Sequence, residues 1–192
     1  MPVWKRWMAC LGVVWGSVAG AATVDVAGVK FADELALGGT ALRLNGAGVR
    51  YKAIFKVFAG GLYLTRKSAT AEEVLSAPGP KRMQINLLVD VEAKKFSKEF
   101  IRGFDDNANK SEMAPLVPGL IRMGQILGDH GKFMAGESFT IDWLPGTGAV
   151  LAINNKVQGE PFKEVEFYNA LLSIWVGKSP ADWRFKDAVL GR

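Results

Sequence analysis

Apolar and polar residues alternate in short runs through the first half of the chain. The alternation predicts a small hairpin over residues 24–26 and 29–31, and strands over residues 40–44, 49–57, 60–64 and 82–89. Asn45-Gly46-Ala47-Gly48 has the composition of a hairpin turn. Gly60-Gly61 inside a strand indicates a bulge, or a ligand or backbone that approaches closely.

The period then changes to that of a helix. Phe96, Phe100, Ile101 and Phe104 recur at helical spacing, with charged residues between them. Further helices are predicted over residues 71–77, 118–127, 164–176 and 182–190, and a second hairpin over residues 138–144 and 149–153. Strands and helices thus occur in separate runs. This predicts an α+β fold, an antiparallel-rich sheet with helices on one face.

The first 21 residues have the composition of a secretory signal peptide. Lys5 and Arg6 precede an uncharged apolar run over residues 7–18, and the small residues Ala19-Gly20-Ala21 follow. We expect cleavage after Ala21 and a periplasmic or secreted protein, with an uncleaved N-terminal anchor as the alternative. The expected mature chain, residues 22–192, forms one domain without an integral membrane segment.

The composition of the expected mature chain argues against several kinds of functional site. Cleavage would lower the formal net charge from +5 to +3, because it removes Lys5 and Arg6, and it would also remove Cys10, the only cysteine. The basic residues are dispersed, which argues against nucleic-acid binding. With one histidine and no cysteine, we expect neither a common zinc site nor a thiol nucleophile, and we predict no cofactor.

Two polar features are weak candidates for a site. His130 lies in a glycine-rich turn, where a lone histidine is usually a solvated loop residue. Asp105-Asp106 stands beside Asn107, but the spacing does not match a calcium-binding loop, so an exposed helix face is expected. Neither a nucleophile elbow nor a phosphate-binding loop occurs in the sequence.

Three segments resemble the chalcone isomerase superfamily. Residues 45–50 (NGAGVR) and 55–64 (FKVFAGGLYL) resemble its G-x-G-x-R turn and the strand that follows. Residues 100–107 resemble its helix with a K-V-x-E-N type motif, and residues 170–180 (ALLSIWVGKSP) resemble its late helix. The resemblance covers residues 24–190 and is strongest to the bacterial, signal-bearing branch. It implies an open-faced β-sandwich, in which helices cover a large antiparallel sheet and leave an apolar cleft.

The resemblance also implies a ligand site in this cleft. Arg50 matches the cation that stabilises a developing enolate in the family's enzymes, which cyclise chalcones to flavanones. Asn107 matches an asparagine that lines the pocket. Three positions that carry hydroxyl groups in those enzymes fall on Phe58, Phe100 and Ile174, so three polar positions become apolar here.

The loss of these hydroxyls favours a binding protein. One oxyanion donor is typically worth about 2.7–4 kcal/mol, so the loss of several should leave little isomerase activity. The family's non-catalytic fatty-acid-binding members keep the arginine for a carboxylate among apolar residues. We therefore expect Arg50 to anchor an amphipathic carboxylate or phenolic small molecule. Phe104 and the three apolar residues just named would line the cleft, with ordinary core packing as the alternative.

Two other functions stay open. The chain could be an intramolecular lyase with Arg50 as electrophile and Asn107 beside it, one of Tyr51, Tyr63 and Tyr168 replacing the lost hydroxyls. It could instead be an envelope interaction protein without a small ligand. An apolar cleft with Arg50 alone at its polar end would favour binding, and a tyrosine hydroxyl converging on Arg50 would favour catalysis. The sequence does not determine the oligomeric state.

Overall fold

The computed structural model describes residues 22–108 and 113–192. The predicted signal peptide, residues 1–21, lies outside the described residues. Within the two described ranges, no helix is both long and apolar enough to cross a membrane.

The described elements alternate between runs of strands and runs of helices. The strands are β1 (Thr23–Val26), β2 (Val29–Ala32), β3 (Glu34–Leu37), β4 (Thr40–Lys52), β5 (Phe55–Leu64), β6 (Lys81–Leu87), β7 (Val91–Glu92), β8 (Lys132–Phe133), β9 (Ser138–Leu144), β10 (Gly148–Ile153) and β11 (Lys156–Val157). The helices are α1 (Ala71–Ser76), α2 (Ala93–Asn107), α3 (Val117–Gly128), α4 (Val165–Val176) and α5 (Trp183–Val189).

Seven of these strands form one antiparallel sheet, in the order β11-β10-β9-β6-β5-β4-β3. Helix α4 packs against β10, and α5 packs against β4. The β1–β2 hairpin and the short β7–β8 pair are separate from the large sheet. The structure thus confirms the predicted α+β class, a large antiparallel sheet with helices on one face.

Two hydrophobic cores lie on opposite faces of the sheet. The larger one lies under the helices and takes the inward residues of β6, Met83, Ile85 and Leu87, whose alternation the sequence predicted. The smaller one lies under the β1–β2 hairpin, where Phe31 packs onto Gly61 of β5. A Cβ at Gly61 would stand 2.8 Å from the ring of Phe31, so this glycine makes room for a side chain.

The turn predicted at residues 45–48 is wrong, because this segment continues β4. The strand pairs with β5 on both sides of a bulge between Leu44 and Gly46, and the chain reverses only at Ala53-Ile54. Gly46 serves packing rather than a turn. A Cβ there would collide with the main-chain carbonyl oxygen of Ala188, because α5 crosses β4 at this point.

The side chain of Asn45 occupies the bulge and is buried. Its Nδ2 donates to the carbonyl oxygens of Ser68 (2.9 Å) and Val189 (2.7 Å), and its Oδ1 accepts the main-chain N–H of Ser68 (2.7 Å). Asparagine is therefore used here as a buried bridge between the loop after β5, the strand and α5, where its hydrogen-bonding groups are satisfied.

Candidate functional site

A cavity of about 500 Å³ lies between α2 and the sheet. One face of α2 forms its wall, and strands β4, β5 and β9 form its floor. The stretch of α2 from Lys95 to Asp106 that lines the cavity is about 17 Å long at the helical rise of 1.5 Å per residue. This volume falls within the range of about 300–1,000 Å³ of small-molecule sites.

Arg50 lies near the end of β4, on the face that the helices cover, and is paired with Phe58 of β5. The register shifts between Arg50 and Tyr51, so Val57 has no partner on β4 and lines the cavity beside Phe58. The main-chain N–H of Tyr51 donates to Oδ2 of Asp182 (2.7 Å). The other oxygen of Asp182 accepts the first N–H groups of α5. One carboxylate thus caps α5 and holds the strand next to Arg50.

The guanidinium of Arg50 is half-buried and forms no ion pair with any described residue. Burial lowers the pKa of Arg50 from its ordinary value, while nearby Glu99 and Asp182 act in the opposite direction and Arg102 adds to the lowering. Arginine nevertheless keeps its charge at physiological pH. Its hydrogen-bond donors are therefore available to an anion in the cavity.

Glu99 of α2 is the carboxylate that shares this region with Arg50. Its oxygens lie 3.2 Å from Nζ of Lys52 and 3.1 Å from a guanidinium nitrogen of Arg102. Burial alone would raise the pKa of Glu99, but Lys52, Arg102 and Arg50 together hold it below its ordinary value. Glu99 is therefore ionised at neutral pH and connects α2 to the β4–β5 hairpin across the rim of the cavity.

Apolar side chains line the interior of the cavity. Phe100 and Trp175 meet edge to face with ring centroids 5.9 Å apart, and Phe96 and Phe139 meet in the same way at 5.2 Å. The charged lining residues other than Arg50 lie on the rim, at Lys52, Asp90, Glu92, Lys95, Glu99, Arg102, Asp106 and Lys132. A half-buried cation beside such an interior can pair with a carboxylate or phenolate while the apolar part of the molecule fills the cavity.

Four of the six predicted site residues line this one cavity: Arg50, Phe58, Phe100 and Ile174. Phe104 and Asn107 do not line it, contrary to the expectation from the resemblance. Phe104 is fully buried and packs on Phe167 of α4, with ring centroids 5.7 Å apart. It therefore belongs to the core between α2 and α4, which was the alternative for this residue.

The amide of Asn107 is engaged within the protein. Its Nδ2 donates to the carbonyl oxygens of Gly103 (2.9 Å) and Ser179 (2.8 Å), and its Oδ1 accepts the N–H of Ser179 (2.9 Å). Asn107 thus ties the end of α2 to the segment after α4, of which Ser179 lines the cavity. A Cβ at Gly177 would collide with Oδ1 of Asn107, so this close approach requires glycine.

The three tyrosines are not among the residues that line the cavity. Tyr63 faces the smaller core, and burial raises its pKa to about 12. Tyr168 is buried in the larger core, and burial raises its pKa well above the ordinary value. Among the described residues, no tyrosine therefore lines the cavity together with Arg50, as the arrangement predicted for catalysis would require.

The two weak candidates also have defined positions. His130 stacks on Phe133 and lies 3.3 Å from a carboxylate oxygen of Glu137, outside the cavity. Asp106 stands on the cavity rim, and Asp105 is exposed. In residues 22–108 and 113–192, no cluster of three or more His, Cys, Asp or Glu residues could hold a metal ion.

The lining residues that sequence reasoning missed include Glu99, Phe139 and Trp175. Trp175 continues the helical spacing of Tyr168 and Leu172, and Phe139 alternates inward along a predicted strand, so both could have been found. Glu99 carried no such signal, because it is one of several charged residues between the aromatic positions of α2.

Comparisons with known proteins agree with this geometry. A sequence profile described as chalcone isomerase-like matches residues 23–191. Curated protein sequences give no match. Among solved structures, the chain is similar to a fatty-acid binding protein of Arabidopsis thaliana, with a TM-score of 0.65 and 16% sequence identity, covering 88% of this chain and 96% of that chain. At this identity the likeness establishes the fold.

Proposed function

The chain belongs to the chalcone isomerase-like family, and on this premise we propose that it binds an amphipathic carboxylate, such as a fatty acid, without catalysis. Arg50 anchors the carboxylate, and the aromatic interior takes the apolar tail. The observation that carries the proposal is the half-buried guanidinium of Arg50, which has no ion-pair partner among the described residues and opens onto an apolar cavity. The sequence pattern of residues 1–21 supports the further proposal that the protein acts after export.

Two further points support binding over catalysis. Chalcone cyclisation needs several donors around the developing enolate. In the described part of the cavity, the only hydroxyl-bearing lining residue is Ser179. The Arabidopsis protein of similar fold is named as a fatty-acid binding protein, which fits the same class of ligand.

Replacement of Arg50 by methionine tests the proposal. We expect calorimetric titration with dodecanoate to show binding to the native chain and roughly tenfold to hundredfold weaker binding to Arg50→Met, because hydrogen bonds to a charged group are worth about 1.5–3 kcal/mol. Mass spectrometry of small molecules that co-purify with the native chain should find an acidic amphiphile that Arg50→Met lacks.

The matched control is Arg43→Met, on the same strand. Arg43 is exposed, pairs with the exposed Glu34 and lies outside the cavity, so its loss should leave dodecanoate affinity unchanged. Dodecanol, which lacks the carboxylate, should bind native and Arg50→Met chains equally. Equal dodecanoate affinity in native and Arg50→Met chains would refute the proposed anchor, and rapid ring closure of an added chalcone that depends on Arg50 would indicate the enzyme instead.

Glu99→Gln should strengthen dodecanoate binding, by up to about tenfold. Glu99 places a negative charge near Arg50, so it opposes an incoming carboxylate, and glutamine removes that charge at nearly the same size. Glu92→Gln is the comparison, because Glu92 is a rim carboxylate that is not among those that raise the pKa of Arg50. Titration of both variants separates the local effect of Glu99 from that of net charge. Weaker binding by Glu99→Gln would show that Glu99 holds Arg50 in place rather than competing with the ligand.

A further inference from the structure

The turn between β4 and β5 exposes two consecutive large hydrophobic residues. Ile54 is 83% exposed and Phe55 is 67% exposed, the two highest values among the large hydrophobic residues that the structure describes. The turn is tight, since Lys52 pairs directly with Phe55 and only Ala53-Ile54 lies between them. The apolar pair is therefore held at the end of a strand pair rather than on a long loop. Residues 52–56 are called the hairpin tip below.

The hairpin tip lies next to the cavity. Lys52 lines the cavity, and residues directly paired across antiparallel strands point to the same face, so Phe55 projects toward the cavity side of the hairpin. The segment after β6 runs alongside, because the N–H of Leu88 donates to the carbonyl oxygen of Val57 (3.0 Å). The next residue, Val89, is 38% exposed and also lines the cavity. The exposed apolar surface is thus continuous with the cavity rim.

Positive charge accompanies this apolar surface. Lys52 and Lys56 flank Ile54 and Phe55. The Nζ of Lys52 pairs with Glu99 (3.2 Å), so Lys56 is the cation of the hairpin tip that is left for another anion. Lys56 is exposed and makes no side-chain hydrogen bond to any described residue. Lysines beside exposed Ile and Phe match the composition of segments that lie at the surface of an anionic bilayer, with the apolar groups at the boundary of head groups and acyl chains.

We propose that the hairpin tip contacts an anionic lipid membrane. Ile54 and Phe55 enter the interface, Lys56 meets the lipid phosphates, and the rim of the cavity is held at the bilayer surface. The contact is peripheral and reversible, since two apolar side chains and one lysine give weak attachment. It goes beyond the proposed ligand binding, because it rests on the exposed surface alone.

A bilayer fits this surface better than a second protein does. A stable protein interface buries about 800 Å² on each partner, far more than the end of one hairpin offers. A bilayer imposes no such requirement, because each inserted side chain contributes by its own apolar area. The basic flank also complements the negative surface potential of anionic lipid.

Vesicle co-sedimentation tests the proposal. The protein, purified from the cells that express it and with its N-terminus determined by mass spectrometry, is mixed with vesicles of phosphatidylglycerol and phosphatidylcholine in equal parts, or of phosphatidylcholine alone. We expect binding to the mixed vesicles, reduced at least about tenfold in Ile54→Ser/Phe55→Ser. Lys56→Gln should bind about fivefold more weakly than the native chain, and only to the vesicles that contain phosphatidylglycerol.

The matched control is Val117→Ser/Ile121→Ser, which removes two exposed apolar side chains from α3, away from the cavity lining. It should bind vesicles as the native chain does. Dodecanoate affinity without vesicles should be native in Ile54→Ser/Phe55→Ser, so the two proposals fail separately. Equal sedimentation of the native chain and the tip variant overturns the membrane contact. Analytical ultracentrifugation gives a second outcome that overturns it. If the native chain is a dimer and the only effect of Ile54→Ser/Phe55→Ser is to make it a monomer, the hairpin tip is a protein interface.

Discussion

Gly46→Ala is expected to lower the free energy of unfolding by about 3 kcal/mol or more, at the upper end of what overpacking costs. The added Cβ would collide with the carbonyl oxygen of Ala188, and contacts with the main chain near Val189 and Gly191 are also too close. All of these atoms belong to the backbone, so no side chain can rotate away. Helix α5 would have to move off β4, and the buried hydrogen bond from Asn45 to Val189 would be lost with it.

Urea unfolding followed by tryptophan fluorescence measures this effect. Gly128→Ala is the matched control, because a Cβ at Gly128 meets nothing within 4 Å and the residue lies in the last turn of α3, where alanine is a better helix former. We expect Gly128→Ala to be neutral or slightly stabilising. A Gly46→Ala chain as stable as the native one would mean that α5 does not pack on β4 as described.

The free energy of unfolding is expected to rise by about 2 kcal/mol between pH 7 and pH 9.5, because of Lys81. This lysine is 2% exposed, with its Nζ donating to the carbonyl oxygen of Leu75 (2.7 Å), and burial lowers its pKa to about 8. Between pH 8 and the ordinary lysine pKa of 10.5, the unfolded chain binds the proton that the folded chain has released. Unfolding therefore becomes less favourable as the pH rises through this window.

Above about pH 10, the two buried tyrosines, Tyr63 and Tyr168, make the free energy of unfolding fall as the pH rises. Burial raises the pKa of Tyr63 to about 12 and that of Tyr168 well above its ordinary value. The unfolded chain loses these protons from about pH 10 upward while the folded chain keeps them, so stability falls again. We expect maximal stability near pH 10.

Urea unfolding at several pH values between 7 and 9.5 tests this expectation. In Lys81→Met, the free energy of unfolding should no longer rise over this range. Lys156→Met, which removes an exposed lysine of β11, should show the same rise in the free energy of unfolding as the native chain. A native chain whose stability is constant over this range would show that the amine of Lys81 keeps its ordinary pKa.

Sequence patterns predicted the elements well where one face is buried and the other is not. The alternation of β6 and the helical spacing of Phe96, Phe100 and Phe104 correspond to a strand and a helix in the structure. Both periods follow from the geometry of a single element against one core. The pattern missed β3, β7, β8 and β11. The last three have two residues each, which are too few to establish a period.

Glycine and asparagine were harder to interpret, because their uses depend on neighbours far along the chain. Asn45 and Gly46 have the local composition of a turn, yet they lie within a strand against α5, more than 140 residues later in the sequence. The family motif aligned Asn107 with a residue that lines the pocket. In the structure its amide instead forms hydrogen bonds with Ser179, so Asn107 holds a lining residue in place without lining the cavity itself. Local sequence does not contain these distant contacts.

The sequence by itself determined the α+β class and the family, and it singled out Arg50 as the candidate anchor, since periodicity and short motifs are local properties of the chain. The tertiary structure alone decided which residues share the cavity with Arg50. It brought Glu99 beside the guanidinium, placed Phe139 and Trp175 in the interior, and removed Phe104 and Asn107 from the lining. The physical reason is that residues from α2, α4 and five strands meet only after the sheet and helices have packed. No period within one segment of the sequence encodes contacts between distant segments.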